Sequence, residues 1–219
     1  MNDNTLEYVE FELVLALYAS QFRDTCACRW VVSVKFTHVS VDRAWLIEPN
    51  PHHDFRGRFM RAWCAKEFAQ NGINFMPLQA NMGFSHSRGT VRGMHYQVSP
   101  GDEAKLVRCT RGSMFDVVLD LRPDSPSYHS WFGTLLSAEN GHMLLVPEGC
   151  AHGCQSLEDN TEFLYIASCE FSPNYAKGAR HDDPAFKIAW PMPVTVISEQ
   201  DRSWPLTQPQ APSATGEIT

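Results

Sequence analysis

With 219 residues, 43% of them hydrophobic and 20% charged, the chain is long enough to bury a substantial core, and its composition excludes a mostly disordered or collagen-like protein. A net charge of −7 argues against a general nucleic-acid binder, although a local basic pocket for a phosphate ligand fits within an acidic protein. Seven cysteines without compact disulfide-like spacing suit a reducing compartment, with cytoplasm the default, and no apolar run reaches the roughly 18 residues of a membrane span.

Residues 1–31 form an N-terminal extension, acidic at its start and lacking the basic n-region of a signal peptide. Within it "EFELVLALYASQF" suits a helix or a strand equally, and Cys26 and Cys28 read as ordinary thiols rather than a zinc site. From 32 to 206 short apolar runs alternate with Gly, Pro, Asn and Asp, which predicts one all-β domain, a sandwich or small barrel. "AKEFAQNG" is the exception, a short helix stopped at Gly72. "KLVRCTRG" and "SMFDVVLDLR" read as a hairpin about Gly112, and "SWFGTLLS", "AENGH" and "MLLVPEG" repeat the theme, with "TEFLYIASCEF" a further strand. The tail 207–219, "TQPQAPSATGEIT", reads as disordered.

"TVRGMHYQ", residues 90–97, has strand character with an arginine, a glycine and a histidine in its middle. Strand alternation sends Arg92 and His95 to opposite faces, whereas a bulge at Gly93 would bring both to one. On this stretch alone an edge strand with a solvated arginine and a half-buried histidine competes with a site.

The stretches "DFRGRF", "LQANMGFS", "TVRGMHYQ", "AKLVRCTRGSMFDVVLDLRPDSPSYHSW", "LSAEN", "VPEGCAHG", "EFLY" and "SEQD", in this order between about Trp45 and Pro205, resemble the dTDP-4-dehydrorhamnose 3,5-epimerases. The resemblance implies a cupin-type jelly roll, an obligate homodimer and a nucleotide-sugar substrate. It also implies a reaction without a cofactor: a proton is removed beside a ketone, an enolate is stabilised, and a proton returns to the opposite face. The family's base matches His95, and histidine is the side chain that titrates near neutrality. Asp201 matches the carboxylate that orients the imidazole, and Tyr165 the donor on the other face. Lys105 matches the cation beside the ketone oxygen. Arg56 and Arg92 match arginines near the phosphates and sugar, Gln79 and Asn81 polar contacts to nucleotide or sugar, and His152 a further pocket histidine. Phe171 stands where a tyrosine usually stacks on thymine. On this reading Gly93 lets Arg92 hold the substrate while His95 attacks it.

Read without the resemblance, Asp201 is a surface carboxylate, Lys105 a solvated lysine and Tyr165 a core ring sharing its strand face with Phe163 and Ala167. Arg61, Ala176, His181 and Gln200 depart from the family's acid, glutamate, tryptophan and lysine. Two further readings compete. A metal-dependent cupin oxygenase needs two or three histidines and a carboxylate, yet the pair of histidines two apart is missing and His52 and His53 fall in a Pro-rich loop. A non-catalytic binding module would not need the base, its aspartate and the tyrosine together. The sugar, the base of the nucleotide, and whether C3, C5 or both are inverted stay open, with mono-epimerases and ketoisomerases as alternatives.

Overall fold

The computed structural model describes residues 32–207, so the N-terminal extension with Cys26 and Cys28, and the tail from 208 onward, lie outside the described residues. Two antiparallel sheets carry the domain. One runs β1 (Ser33–His38), β2 (Trp45–Asn50), β10 (Met143–Val146), β7 (Lys105–Arg111), β12 (Thr161–Ala167) and β5 (Gln79–Ser85). The other runs β13 (Ala176–Gly178), β6 (Val91–Gln97), β11 (Cys150–Ser156), β8 (Ser113–Asp120) and β9 (Trp131–Ser137). A separate hairpin joins β3 (His52–Asp54) to β4 (Gly57–Phe59), and two short helices, α1 (Ala65–Gln70) and α2 (Glu199–Ser203), complete the described elements. His52 and His53 therefore lie in a strand rather than the expected loop.

From β5 to β12 the chain changes sheet at every connection except β8 to β9, which is the alternation of a cupin-type jelly roll. The two hairpins expected about Gly112 and across 138–142 are therefore crossings: β7 pairs with β10 and β12, and β8 with β11 and β9. Turn composition reports that the chain reverses, but not whether the next strand rejoins the same sheet. Burial on both faces of β8 decides it. Met114 and Val118 enter the core between the sheets with Val107, Leu144 and Phe163, while Val117 and Leu119 pack outward beneath Ala179 and Phe186.

The outer face of the larger sheet is closed by α1, whose Phe68 packs on Ile47, Leu106 and Phe75. Six residues are too few for an independent helix, so that burial holds it. It ends as expected: Gly72 takes φ +73°, and its amide donates to the carbonyl of Ala69 at 3.0 Å. Each buried apolar side chain contributes about 1.5–3 kcal/mol before chain entropy is subtracted. Three such layers leave the space between the sheet edges as the place for polar side chains.

Candidate active site

The strand that raised the question about Arg92 and His95 is bulged. His95 lies opposite His152 and Arg92 opposite Cys154, so a three-residue spacing on β6 matches a two-residue spacing on β11. Gly93 makes this possible at φ +115°, and a Cβ there would stand 2.6 Å from both the Gly153 Cα and the His152 carbonyl oxygen. The slip turns Arg92 and His95 into one cavity of about 650 Å³. Asp201, Tyr165, Asn81, Lys105 and His152 also line it, so seven of the ten candidate residues converge there.

His95 Nε2 lies 2.5 Å from Asp201 Oδ1, and the other carboxylate oxygen accepts the Gly93 amide at 3.2 Å. The "SEQD" stretch explains how the carboxylate arrives. Ser198 caps α2 and its hydroxyl accepts the Asp201 amide at 3.0 Å, starting the helical turn that carries Asp201 to the bulge. Burial pushes the Asp201 carboxyl up, but the His95 hydrogen bond and charge, the Gly93 amide and Ser198 outweigh it and hold it below the usual carboxylate range. An ionised Asp201 accepts a hydrogen bond from Nε2–H, which leaves the Nδ1 lone pair of His95 as the basic position. Asp201 is only 4% exposed, against its isolated reading as a surface group.

Lys105 is buried too, with its ammonium 2.8 Å from Glu103 and 3.4 Å from the His95 carbonyl oxygen. Tyr165 reaches the cavity from the opposite sheet and is half-buried against the inner core, so the cavity reading and the core-ring reading both hold in part. Burial pushes its phenol up, the Glu103 charge adds to this, and a hydrogen bond with Asn81 opposes it. The phenol therefore keeps its proton at neutral pH. Arg92 is anchored to β5, donating from Nε to the Ser85 hydroxyl at 3.2 Å and from Nη2 to the Phe84 carbonyl at 2.7 Å.

Two participants were not singled out in the sequence. Asp116, fully buried, holds His152 by a 2.8 Å contact to Nε2. Its signal was a charged residue among apolar neighbours on the strand face that proves to be the inward one. Glu103 stands two residues before Lys105 in extended chain, a spacing that shares a face.

Three candidates lie outside the cavity lining. Gln79 and Phe171 sit together at its rim, where the Phe171 amide donates to Gln79 Oε1 at 3.2 Å and Asn81 Nδ2 donates to the same oxygen at 3.4 Å. Arg56 lies on the β3–β4 hairpin, exposed and paired with Asp54 at 2.5 Å, in a separate groove. Among the described residues no three His, Cys, Asp or Glu side chains gather in a metal-holding group.

Residues 38–208 match the family model for dTDP-4-dehydrorhamnose 3,5-epimerase. The chain belongs to that family. The enzyme of this name from Sinorhizobium fredii is 42% identical over 171 residues, covering 78% of this chain and 88% of that one. The crystal structure of the Bacillus anthracis enzyme with TDP and PPi bound has a TM-score of 0.77 and 34% identity, covering 80% of this chain and all of that one. A Legionella pneumophila enzyme in complex with dTDP-4-keto-L-rhamnose has a TM-score of 0.75 and 32% identity, covering 80% and 93%. The chain is thus an epimerase, in the isomerase class.

Within this epimerase only one of the four departures, Gln200, reaches the cavity. Arg61 lies 3.7 Å from Glu67. Ala176 pairs with Gln97 along β13, and the His181 carbonyl accepts the Trp190 indole N–H at 2.8 Å. Three of the four departures therefore lie outside the lining that His95, Asp201 and Tyr165 share.

Proposed function

We propose that this epimerase inverts carbons beside the ketone of a dTDP-4-dehydro-6-deoxyhexose, with His95 as base, Asp201 as its orienting carboxylate and Tyr165 as the opposing acid. The observation that carries this reading is the His95–Asp201 pair on one sheet side of a cavity and a neutral phenol from the other sheet. His95 Nδ1 takes the carbon-bound proton, the electron pair moves into the carbonyl as an enolate, and the phenol returns a proton to the other face. The developing oxyanion meets the Lys105 ammonium, so the ketone and the lysine together supply the electron sink that a cofactor provides elsewhere. Arg92 and Asn81 hold the sugar and its phosphate, His152 contacts the sugar, and the Gln79–Phe171 rim offers a ring face to the base.

Arg56 lines a separate groove on the β3–β4 hairpin and not this cavity, and on the same hairpin Phe55 is 98% exposed and Phe59 65%. A homodimer accounts for both features: the exposed rings are buried against a second copy, and that copy supplies Arg56 to the diphosphate. Cytoplasm is the compartment, supported by five free cysteines among the described residues.

The test is incubation with dTDP-4-dehydro-6-deoxyglucose in deuterated water. Label at C3 and C5 is expected. Label at one carbon alone makes the chain a mono-epimerase, and no label leaves a binding module.

A further inference from the structure

Resting on that reaction, we infer that Glu103 is a positioning residue, whose carboxylate aims the Lys105 ammonium into the cavity that Tyr165 also lines. The first argument counts donors. An ammonium has three N–H groups. One of Lys105 faces Glu103 Oε1 at 2.8 Å and another the His95 carbonyl at 3.4 Å, which leaves the third for the cavity that Lys105 lines. Without Glu103 the long, flexible lysine stem has only the weaker contact to set its direction.

The second argument is rigidity. Glu103 and Lys105 are each about nine-tenths buried, at 8% and 7% exposure. Ala104, between them, is fastened to Ser168 in both directions: its amide donates to the Ser168 hydroxyl at 2.8 Å, and its carbonyl accepts the Ser168 amide at 3.0 Å. Ser168 directly follows β12, the strand that bears Tyr165, so one backbone clamp sets Glu103, Lys105 and Tyr165 relative to one another. The third argument is charge. The Glu103 carboxylate raises the Tyr165 phenol on top of the effect of burial, keeping it in the donating form as the enolate develops nearby. One carboxylate thus serves both halves of the reaction, fixing the cation that receives the oxyanion and the acid that ends it.

The test compares Glu103→Gln with the wild type in two readouts. Turnover with dTDP-4-dehydro-6-deoxyglucose should fall about 10–10²-fold with KM little changed, because the amide keeps the shape and loses the charge that acts on the transition state. The Tyr165 phenol, isolated from the other tyrosines by subtracting each protein's Tyr165→Phe counterpart in a spectrophotometric titration, should ionise at lower pH. The other ionisable groups of the cavity, Arg92 and His95 from β6, His152 over Asp116, and Asp201 from α2, are the same in both proteins. Glu103→Asp should fall between the two, and it carries the test by the same comparison if the glutamine variant does not fold. A phenol titration in its wild-type place overturns the proposal, even if turnover falls, since packing alone would then explain the loss. Unchanged turnover overturns it equally. The titration needs no substrate, so it judges Glu103 even if the wild type exchanges no proton and the proposed reaction fails.

Discussion

Replacing Asp201 by asparagine tests the orientation of the base with almost no change of shape. The carboxylate has two jobs in the structure, receiving His95 Nε2 at 2.5 Å and the Gly93 amide at 3.2 Å. An asparagine has one acceptor and one donor end. If its oxygen turns to His95, its NH2 confronts the Gly93 N–H. If its NH2 turns to His95, Nε2 must accept, and the ring proton moves to Nδ1, the position required as base. A hydrogen bond to a charged group is worth about 1.5–3 kcal/mol. The His95 side chain is 46% exposed, so water replaces part of this and the lower end applies, about 1.5–2 kcal/mol or roughly 10–30-fold. The wrong tautomer multiplies the loss, and a total near 10²-fold is expected, short of the ~10⁴-fold known for a fully buried triad. The assay is the initial rate of deuterium incorporation followed by NMR, with nucleotide-sugar binding measured by calorimetry as a control. Binding should be retained, and His95→Ala should show no exchange at all. A wild-type exchange rate in Asp201→Asn would refute the assignment of Asp201 as the orienting group, and residual exchange in His95→Ala would remove His95 as the base.

Tyr165→Phe should separate two rates that fall together in His95→Ala: deuterium wash-in persists, while inversion drops by the ~10²–10⁴-fold typical of lost general-acid help. Inversion at the wild-type rate would assign the returning proton to another group. Mixing Arg56→Ala with His95→Ala chains should restore activity that neither has alone, because one cavity of the mixed dimer then has its own His95 and its neighbour's Arg56; no recovery would mean that Arg56 acts within its own chain, and an active Arg56→Ala protein would place it outside the reaction. Asp120→Asn tests stability away from the site. Burial raises the fully buried Asp120, but Arg122, Ser125 and Ser127 outweigh it and hold it well below the usual carboxylate range. Breaking this pair should cost about 3 kcal/mol and lower Tm by about 6–12 °C. Because the folded value is depressed, the contribution is complete above the unfolded value near pH 4 and is lost as pH falls through the folded one, so the Tm gap between variant and wild type should narrow in acid. A gap independent of pH would mean that the carboxylate's charge is not what stabilises the fold.

Strand content, helix α1 with its glycine stop, and the gathering of His95, Asp201 and Tyr165 in one cavity were all legible in the chain because each rests on local chemistry or on an ordered set of short motifs. Gly93 belongs with them, since a residue without a Cβ is what a bulge between Arg92 and His95 requires. Three matters lay beyond local reading. The turns at Gly112 and 138–142 look like hairpins, yet each sends the chain to the other sheet, a choice made by apolar demand on both faces of β8. The depth of Asp116 and Glu103 follows from the same closure: a charged residue in an alternating strand reads as solvent-facing until a second sheet covers it. Arg56 matches its motif, but the fold places it in a groove of the β3–β4 hairpin rather than among the residues that line the cavity. The sequence by itself determined which chemical groups the protein carries and in what order, because side-chain identity and turn propensity are local. Tertiary structure alone decided which of them share a cavity, because that depends on how elements more than a hundred residues apart, such as the strand bearing Gly93 and the helix bearing Asp201, are brought within 3.2 Å by burying apolar surface elsewhere.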